Sequence, residues 1–310
     1  MSGIKILGHG ISQGDEKVTN FDLEKLVETS DEWIREKTGI ESRFFARNKT
    51  NLDMAAEAGA EAIENSGIRA SEIDLVLVCT LTPDYATPSV SCGVAKRLGI
   101  GQDAMCLDIN AACSGFVYGL TVARSMLASG NAKCVLAIGS EKLSPLLNMK
   151  DRGTCVLFGD GAGALILKED RGGEFYSISG NEYSDDVLYC DRFNPAITMK
   201  GQEVYRFAVN KVPETINAVM RLAGREVSEI DAFILHQANH RIIHSAAAKL
   251  KIPPGKIFEN VQRYGNTSGA SVAICMAEML EKGLLERGMR AIACGFGAGL
   301  TYGSALFTVG

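Results

Sequence analysis

Ser71–Thr80 reads SEIDLVLVCT, and SEIDAFILHQ begins at Ser228, an offset of 157 residues. Three further blocks return in the same order. VAKRLGI, with Leu98 and Ile100, matches AAKLKI, with Leu250 and Ile252, at 152; NAACSG matches NTSG, Ser114 standing opposite Ser268, at 154; CVLAIG matches AIACGFG at about 156. Self-similarity at near-constant spacing is the mark of a duplicated unit. Two halves, 1–170 and 171–310, are therefore expected to pack about a pseudo-twofold axis.

Working outward, each half alternates strands with helices. IKILGHGIS opens as a strand, and TNFDLEKLVETSDEWIREKTGI carries an acidic start, helical spacing and a stop at Gly39. LDMAAEAGAEAIENSGI is an alanine-rich amphipathic helix. LVLVCT, ended by Pro83, and CVLAIGS are continuous apolar runs of the kind that lie buried in covered sheets. CLDI is a short strand between them. Alternation of this kind predicts an α/β fold in layers.

Composition narrows the function. The chain has 310 residues, 46% of them hydrophobic, with a formal net charge of −5. It contains no run of about 18 apolar residues such as a membrane helix needs, so no membrane association is expected. Mild acidity speaks against a nucleic-acid surface. The start, MSGIKILGHG, lacks a signal peptide's features, and nine scattered cysteines make no disulfide framework; a cytoplasmic location is expected.

DINAACSGFVYGLTVARSML, Asp108–Leu127, carries the first chemistry. CLDI stops at Asn110, Cys113 follows at the first turn of a new helix, and from Ala112 to Ala128 only Arg124 is charged. Such a helix belongs in the interior. Helix N–H groups and the positive dipole end favour thiolate over thiol, and a drop of about two units from the usual 8.5 makes the anion the majority form at neutral pH. Small neighbours leave room around the sulfur. Cys79, Cys92, Cys106, Cys134, Cys155, Cys190, Cys275 and Cys294 lie in or beside apolar runs and read as packing residues.

The duplication brings candidates together. His236 ends the second-half strand DAFIL, and Asn266 lies in the loop YGNTSGAS that matches the Cys113 turn, so symmetric packing directs all three into one pocket. The spacing of His236, His240 and His244 raises a metal face, but His236 ends a strand and no acidic or cysteine ligand is near; no metal is expected. GDGAGA, Gly159–Ala164, is not read as a dinucleotide loop, because ALILKED after it is a strand where the fingerprint needs a helix.

TSDEWIREKTGI, DINAACSGF, DRGTCVLFGDGAGA, ILHQAN, YGNTSGAS and GFGAGLTYGSAL, in this order over the whole length, resemble the motifs of the condensing enzymes of the thiolase fold, most closely β-ketoacyl-acyl-carrier-protein synthase III. The resemblance implies a five-layered αβαβα fold and a homodimer. It also implies initiation of fatty acid synthesis. An acyl group moves from coenzyme A to Cys113 and then condenses, with decarboxylation, with malonyl-acyl-carrier protein. Coenzyme A enters as a substrate, with no resident cofactor.

By the same resemblance, backbone N–H groups of Cys113 and Ala298 form the oxyanion hole, while His236 and Asn266 hold the enolate oxygen as neutral donors. Trp33 and Arg152 sandwich the adenine, and Asn239 bonds the pantetheine arm. Lys37 stands where the family usually has arginine, which loses planar stacking but keeps the charge. Thr87 stands where a large aromatic often reaches from the partner subunit to close the acyl pocket, so acyl groups longer than acetyl are expected. Arg206, Lys211, Arg241, Lys249, Lys251 and Lys256 form a basic surface for the acidic carrier protein. Two alternatives are a related acyltransferase or specialised-metabolite ketosynthase with another acceptor, and a catalytically silent partner subunit.

Overall fold

The computed structural model describes residues 2–191 and 193–310. The first sheet uses strands β1 (Gly3–Gln13), β2 (Leu75–Cys79), β3 (Met105–Ile109), β4 (Val135–Glu141) and β5 (Gly161–Asp170), in the order β1-β5-β4-β2-β3. The second uses β6 (Phe175–Ser184), β7 (Ala232–Leu235), β8 (Arg290–Gly297) and β9 (Gly299–Thr308), in the order β6-β9-β8-β7. An isolated parallel bridge from Phe233 to Ile257 stands beyond β7, where β3 stands in the first sheet. Strand order and direction therefore repeat: β2 runs parallel to β4 as β7 does to β8, and β5 and β9 run antiparallel to both neighbours.

α1 (Asp31–Thr38) packs outside the layers with Phe45 and Val261, and six helices build them: α2 (Asn51–Ser66), α3 (Val90–Leu98), α4 (Gly115–Ala128), α5 (Gly201–Ala223), α6 (His240–Leu250) and α7 (Ser271–Glu281). α2 and α3 cover the outer face of the first sheet, with Met54, Ala58, Val94, Val76 and Ile138 in that core. α5 and α6 cover the outer face of the second, with Val212, Ile216, Ile243 and Phe233. α4 and α7 lie between the sheets. Their Phe116, Leu120, Val272 and Met276 meet Leu77, Ala137, Ile234 and Ala293. The result is a five-layered αβαβα arrangement, as the sequence led us to expect. A helix apolar on every side has to be central, because no surface position can hide it. At roughly 1.5–3 kcal/mol per buried large side chain, this middle layer is a principal source of stability.

The register measures the repeat. Leu75 pairs with Val135 and Ala232 with Ala291, while the left-handed C-caps Gly99 and Lys251 keep the offset of 152. The cysteine turn differs from expectation. The 3₁₀ turn Ala112–Ser114 is matched by Ser268–Ala270, and Ala112 and Ser268 share a left-handed φ of 47° and 48°. Ala112 is therefore the counterpart of Ser268, at an offset of 156, and the pairing of Ser114 with Ser268 is two residues out. Asn110 Oδ1 accepts from Ala112 N–H at 3.2 Å and Asn266 Oδ1 from Ser268 N–H at 2.8 Å. The same side-chain turn closes both loops, and short motif alignment missed it because the residues between are not shared.

Other differences are local. The segment from Thr19 to Gly39 holds a single turn, Asn20–Leu23, and then α1, because Ser30 caps a fresh helix by accepting from Trp33 N–H at 3.1 Å. Cys92 and Cys190 are exposed and Cys106 is half-buried, against the expectation that all eight outlying cysteines pack inside. Cys92 lies on the solvent face of α3, and Cys190 on the ribbon Leu188–Cys190 paired with Ile197–Met199. GDGAGA runs into β5, and Gly163 packs so closely on α7 that a Cβ there would stand 2.4 Å from Ala273 backbone. Among the described residues no helix is long and apolar enough to cross a membrane.

Candidate active site

Cys113 sits in the 3₁₀ turn just ahead of α4, buried at 7% exposure. One wall is β8 of the other half: a Cβ on Gly297 would stand 2.7 Å from Cys113 N and 3.1 Å from its Sγ. Only glycine permits that approach. Gly297→Ala is expected to displace the sulfur by a sizeable fraction of an ångström and lower coenzyme A release by about 10²-fold, read as the burst on mixing with acyl-coenzyme A. The backbone N–H groups of Cys113 and Ala298 both act to hold the thiol's pKa down, and Ala298, from the other half, lines the small cavity beside Cys113.

The state of the thiol departs from the sequence expectation. Burial pushes the Cys113 pKa up to about 12, and the Glu141 carboxylate adds to the rise, while the Ser268 hydroxyl and the two N–H groups pull the other way. Desolvation outweighs the helix terminus, so the unliganded site holds a thiol, not the predicted thiolate.

His236 follows β7 directly; its N–H donates to Cys294 C=O at 2.8 Å, and its ring meets Phe296 edge-on at 5.1 Å. Burial lowers its pKa to about 3, so the imidazole is neutral. Nδ1 lies 2.5 Å from Ser271 Oγ, and that oxygen already accepts from Gln237 N–H at 3.4 Å. When the hydroxyl donates to Nδ1, the proton of the neutral ring stands on Nε2. Ser271→Ala should lose this tautomer control, at roughly 1 kcal/mol or about fivefold in decarboxylation, with acylation of Cys113 little changed.

Asn266 is tied at three points. Its N–H donates to Leu157 C=O at 2.8 Å, its C=O accepts from Gly159 N–H at 3.0 Å, and Oδ1 is held by Ser268. The side-chain amide N–H₂ is thus the end left to donate. Cys113 and Asn266 line one cavity of about 1050 Å³, together with Phe296 and Gly297. A second, of about 50 Å³, continues past Cys113 between Leu81, Leu143, Phe158, Leu188, Ile197 and Ala298. These walls are apolar.

At the other end of the large cavity lie Trp33, Lys37, Arg152 and Asn239. The Arg152 guanidinium stacks on the indole at 4.7 Å. The two planes are closed on each other, so Arg152 must swing aside before a ring enters between them. Lys37 is paired with Glu36 at 2.5 Å. Asn239 caps α6, accepting from Arg241 N–H at 2.8 Å, and its amide donates to Lys37 C=O at 2.9 Å; both ends of its side chain are already used. Thr87 is exposed and lines neither cavity of its own chain.

The basic surface divides. Arg206 and Arg241 are exposed at the cavity mouth, Arg241 resting on the Tyr205 ring at 5.5 Å. Lys211 is held by Glu182 at 2.6 Å and Glu214 at 3.0 Å, Lys249 by Val209 C=O and Asn210, and Lys256 by Ser228 and Ile230 carbonyls. Lys251 is the left-handed cap of α6. Lys211, Lys249 and Lys256 lie on α5, on α6 and in the loop after it, and each reaches its own partner.

Sequence reasoning did not single out Ser268, Ser271, Phe296 or Glu141. Only Glu141 carried a usable signal, as a lone acid closing a fully buried apolar strand.

Two halves thus supply a buried thiol, a neutral imidazole and a carboxamide. A family model for 3-oxoacyl-[acyl-carrier-protein (ACP)] synthase III matches residues 107–185, and the C-terminal model of the same enzyme matches 220–309. A β-ketoacyl-[acyl-carrier-protein] synthase III of Clostridium acetobutylicum is 42% identical, over 98% of each chain. The chain belongs to the β-ketoacyl-[acyl-carrier-protein] synthase III family. Among solved structures, the synthase III of Aquifex aeolicus superposes with a TM-score of 0.95 at 42% identity, covering 99% of this chain and 100% of its own. A priming β-ketosynthase from the R1128 polyketide pathway gives 0.94 at 32%, covering 99% and 96%.

Proposed function

We propose that this chain condenses an acyl-coenzyme A primer with malonyl-acyl-carrier protein to give 3-oxoacyl-acyl-carrier protein, initiating fatty acid synthesis through an acyl-Cys113 intermediate. The observation that carries the reading is the buried Cys113 sulfur, which shares a cavity with Asn266 and lies against Gly297 and Ala298 of the other half. Cys113 attacks the thioester carbon, and the backbone N–H groups of Cys113 and Ala298 stabilise the oxyanion before the coenzyme A thiol leaves. Loss of carbon dioxide from the malonyl group then yields an enolate. His236 Nε2–H and the Asn266 amide are suited to hold its oxygen, and its carbon attacks the acyl thioester and frees Cys113. Neutral donors suit this step, since no proton has to be removed from the malonyl carbon.

The large cavity supports entry of a coenzyme A arm past Trp33 and Arg152, and the small apolar one supports an acyl chain beyond Cys113. The exposed apolar residues Met105 and Leu107 on the open edge strand β3 favour a homodimer paired along that edge. With Thr87 in the position expected to close the acyl pocket across such an interface, the primer accepted is longer than acetyl. Single-turnover acylation along a ladder from acetyl- to decanoyl-coenzyme A tests this, and strict acetyl preference refutes it.

Mass spectrometry of the protein after incubation with mixed acyl-coenzyme A thioesters, followed by malonyl-acyl-carrier protein, tests the whole scheme. A mass gain on Cys113 that is lost with release of carbon dioxide is the expected result. Similarity to the R1128 enzyme keeps a specialised-metabolite acceptor as the second reading; failure to turn over malonyl-acyl-carrier protein after normal acylation would select it. For carrier docking, Arg206→Glu with Arg241→Glu should weaken condensation by tenfold or more at low salt while changing acylation from coenzyme A less. Equal loss in both steps would remove the docking role.

A further inference from the structure

The two backbone turns that would hold the oxyanion come from different halves, and a pair of hydroxyls ties them together. Ser114 follows Cys113 directly and is wholly buried. It stands at the N-cap of α4, where a serine hydroxyl ordinarily accepts a helix N–H, yet its side chain makes no such bond. It reaches across to the other half instead, to Thr301 Oγ1 at 2.6 Å, and lies 2.9 Å from Ala111 C=O. Thr301 stands opposite Gly297 on the β8–β9 hairpin, with Ala298 in the turn between them. Its N–H donates to Ala298 C=O at 3.2 Å, and its hydroxyl lies 3.0 Å from both Ala298 C=O and Ala111 C=O.

Two hydroxyl protons serve these contacts. One fills the 2.6 Å bond between the oxygens, and the other goes on to a carbonyl, that of Ala298 or Ala111 from Thr301, or that of Ala111 from Ser114. In every arrangement the chain joins the residue beside the nucleophile to the hairpin that carries Ala298, and each bond in such a chain strengthens the next. Packing alone does less. A Cβ on Gly295 would stand 2.9 Å from Ser114 Cα, and one on Gly297 2.7 Å from Cys113 N, so β8 lies on the cysteine turn with no side chain between. That contact sets how far apart the turns are. Directional hydrogen bonds set how they are rotated.

We propose that Ser114 and Thr301 are positioning residues for the acylation step, their hydroxyl pair holding the Ala298 turn in the orientation that aims its N–H, with that of Cys113, at the thioester oxygen. Neither hydroxyl residue lines the large or the small cavity; both act through the peptide groups they hold. A donor lowers the barrier to the extent that it is fixed before charge develops on the oxygen. With one donor in each half, the fixing bond has to cross between halves, as this one does.

This inference rests on the acyl-Cys113 reading above, and its test separates the two. Single-turnover coenzyme A release is measured over a range of acyl-coenzyme A concentrations in the wild type, Thr301→Val, Thr301→Ser, Ser114→Ala and the double variant Ser114→Ala with Thr301→Val. Alkylation of Cys113 by iodoacetamide is measured beside it, because displacement of iodide by sulfur builds no charge on a carbonyl oxygen. Thr301→Val should slow release at saturating substrate by about tenfold, part of the roughly 10²–10³-fold that complete loss of one donor costs. The half-saturating concentration and the alkylation rate should stay as in the wild type. Thr301→Ser should restore release, and the double variant should be no slower than the slower single one. Tyr118 Oη, bonded to Tyr302 C=O at 3.1 Å, keeps β9 on α4 in each variant, and Ser114→Ala tests the same pair if Thr301→Val folds poorly. Unchanged release in both single variants overturns the proposal, as does alkylation that falls in step with release, which would make the pair a support for the cysteine turn alone. A wild type that releases no coenzyme A at any concentration overturns the underlying reading instead.

Discussion

Cys113→Ala is expected to take up no acyl group from any acyl-coenzyme A, with coenzyme A release down by on the order of 10⁴-fold or more, the scale seen when a catalytic nucleophile is removed. The reasoning is local. The eight other cysteines are poor substitutes. Burial pushes Cys79, Cys275 and Cys294 far up, the exposed Cys92 lies on α3, and none of them lines the large cavity with Asn266 as Cys113 does. Alanine fits the space, so folding should survive; an unchanged melting temperature is the control. Carbon dioxide release from malonyl-acyl-carrier protein should persist, since its donors come from the other half. Intact-protein mass spectrometry and a burst assay read both steps. An acyl group found on the alanine variant would move the nucleophile elsewhere.

The second large effect separates decarboxylation from acylation. His236→Ala and Asn266→Ala should each lower carbon dioxide release by roughly 10²–10³-fold, the usual cost of one preorganised donor to a developing oxyanion, while Cys113 still becomes acylated. Asn266→Asp should be worse than alanine. The aspartate retains the acceptor that Ser268 N–H uses but replaces the amide donor by a negative charge facing the enolate. The pH profile carries a further sign. With its pKa lowered to about 3 by burial, His236 is already neutral at pH 5, so decarboxylation should show no limb near 6.5. An activity that appears only as pH rises through 6.5 would mean an imidazole of ordinary basicity and a more exposed site.

The sequence determined the layers, the duplication and the three residues at the centre. Hydrophobic period and uninterrupted apolar runs are local properties, and α4 could be placed inside because it offers no polar face. Repetition added long-range information, since matching blocks in order imply matching places in space; that is how Cys113 and Asn266 could be set in one cavity before any coordinates, while His236 was expected to face it and instead lies behind its wall, its ring against Phe296.

Tertiary structure decided what depends on three-dimensional neighbours. It made Cys113 a thiol rather than a thiolate, because burial is set by β8 and Gly297, about 180 residues away in the chain. It aligned Ala112 with Ser268 through a shared backbone turn that side-chain identity does not encode. It tied Lys211, Lys249 and Lys256 into local bonds and placed Arg206 and Arg241 beside the large cavity. It also placed Glu141 behind the nucleophile. A charge's partner and a thiol's proton depend on distances of a few ångströms between segments far apart in sequence, and those distances exist only once the two halves have closed on each other.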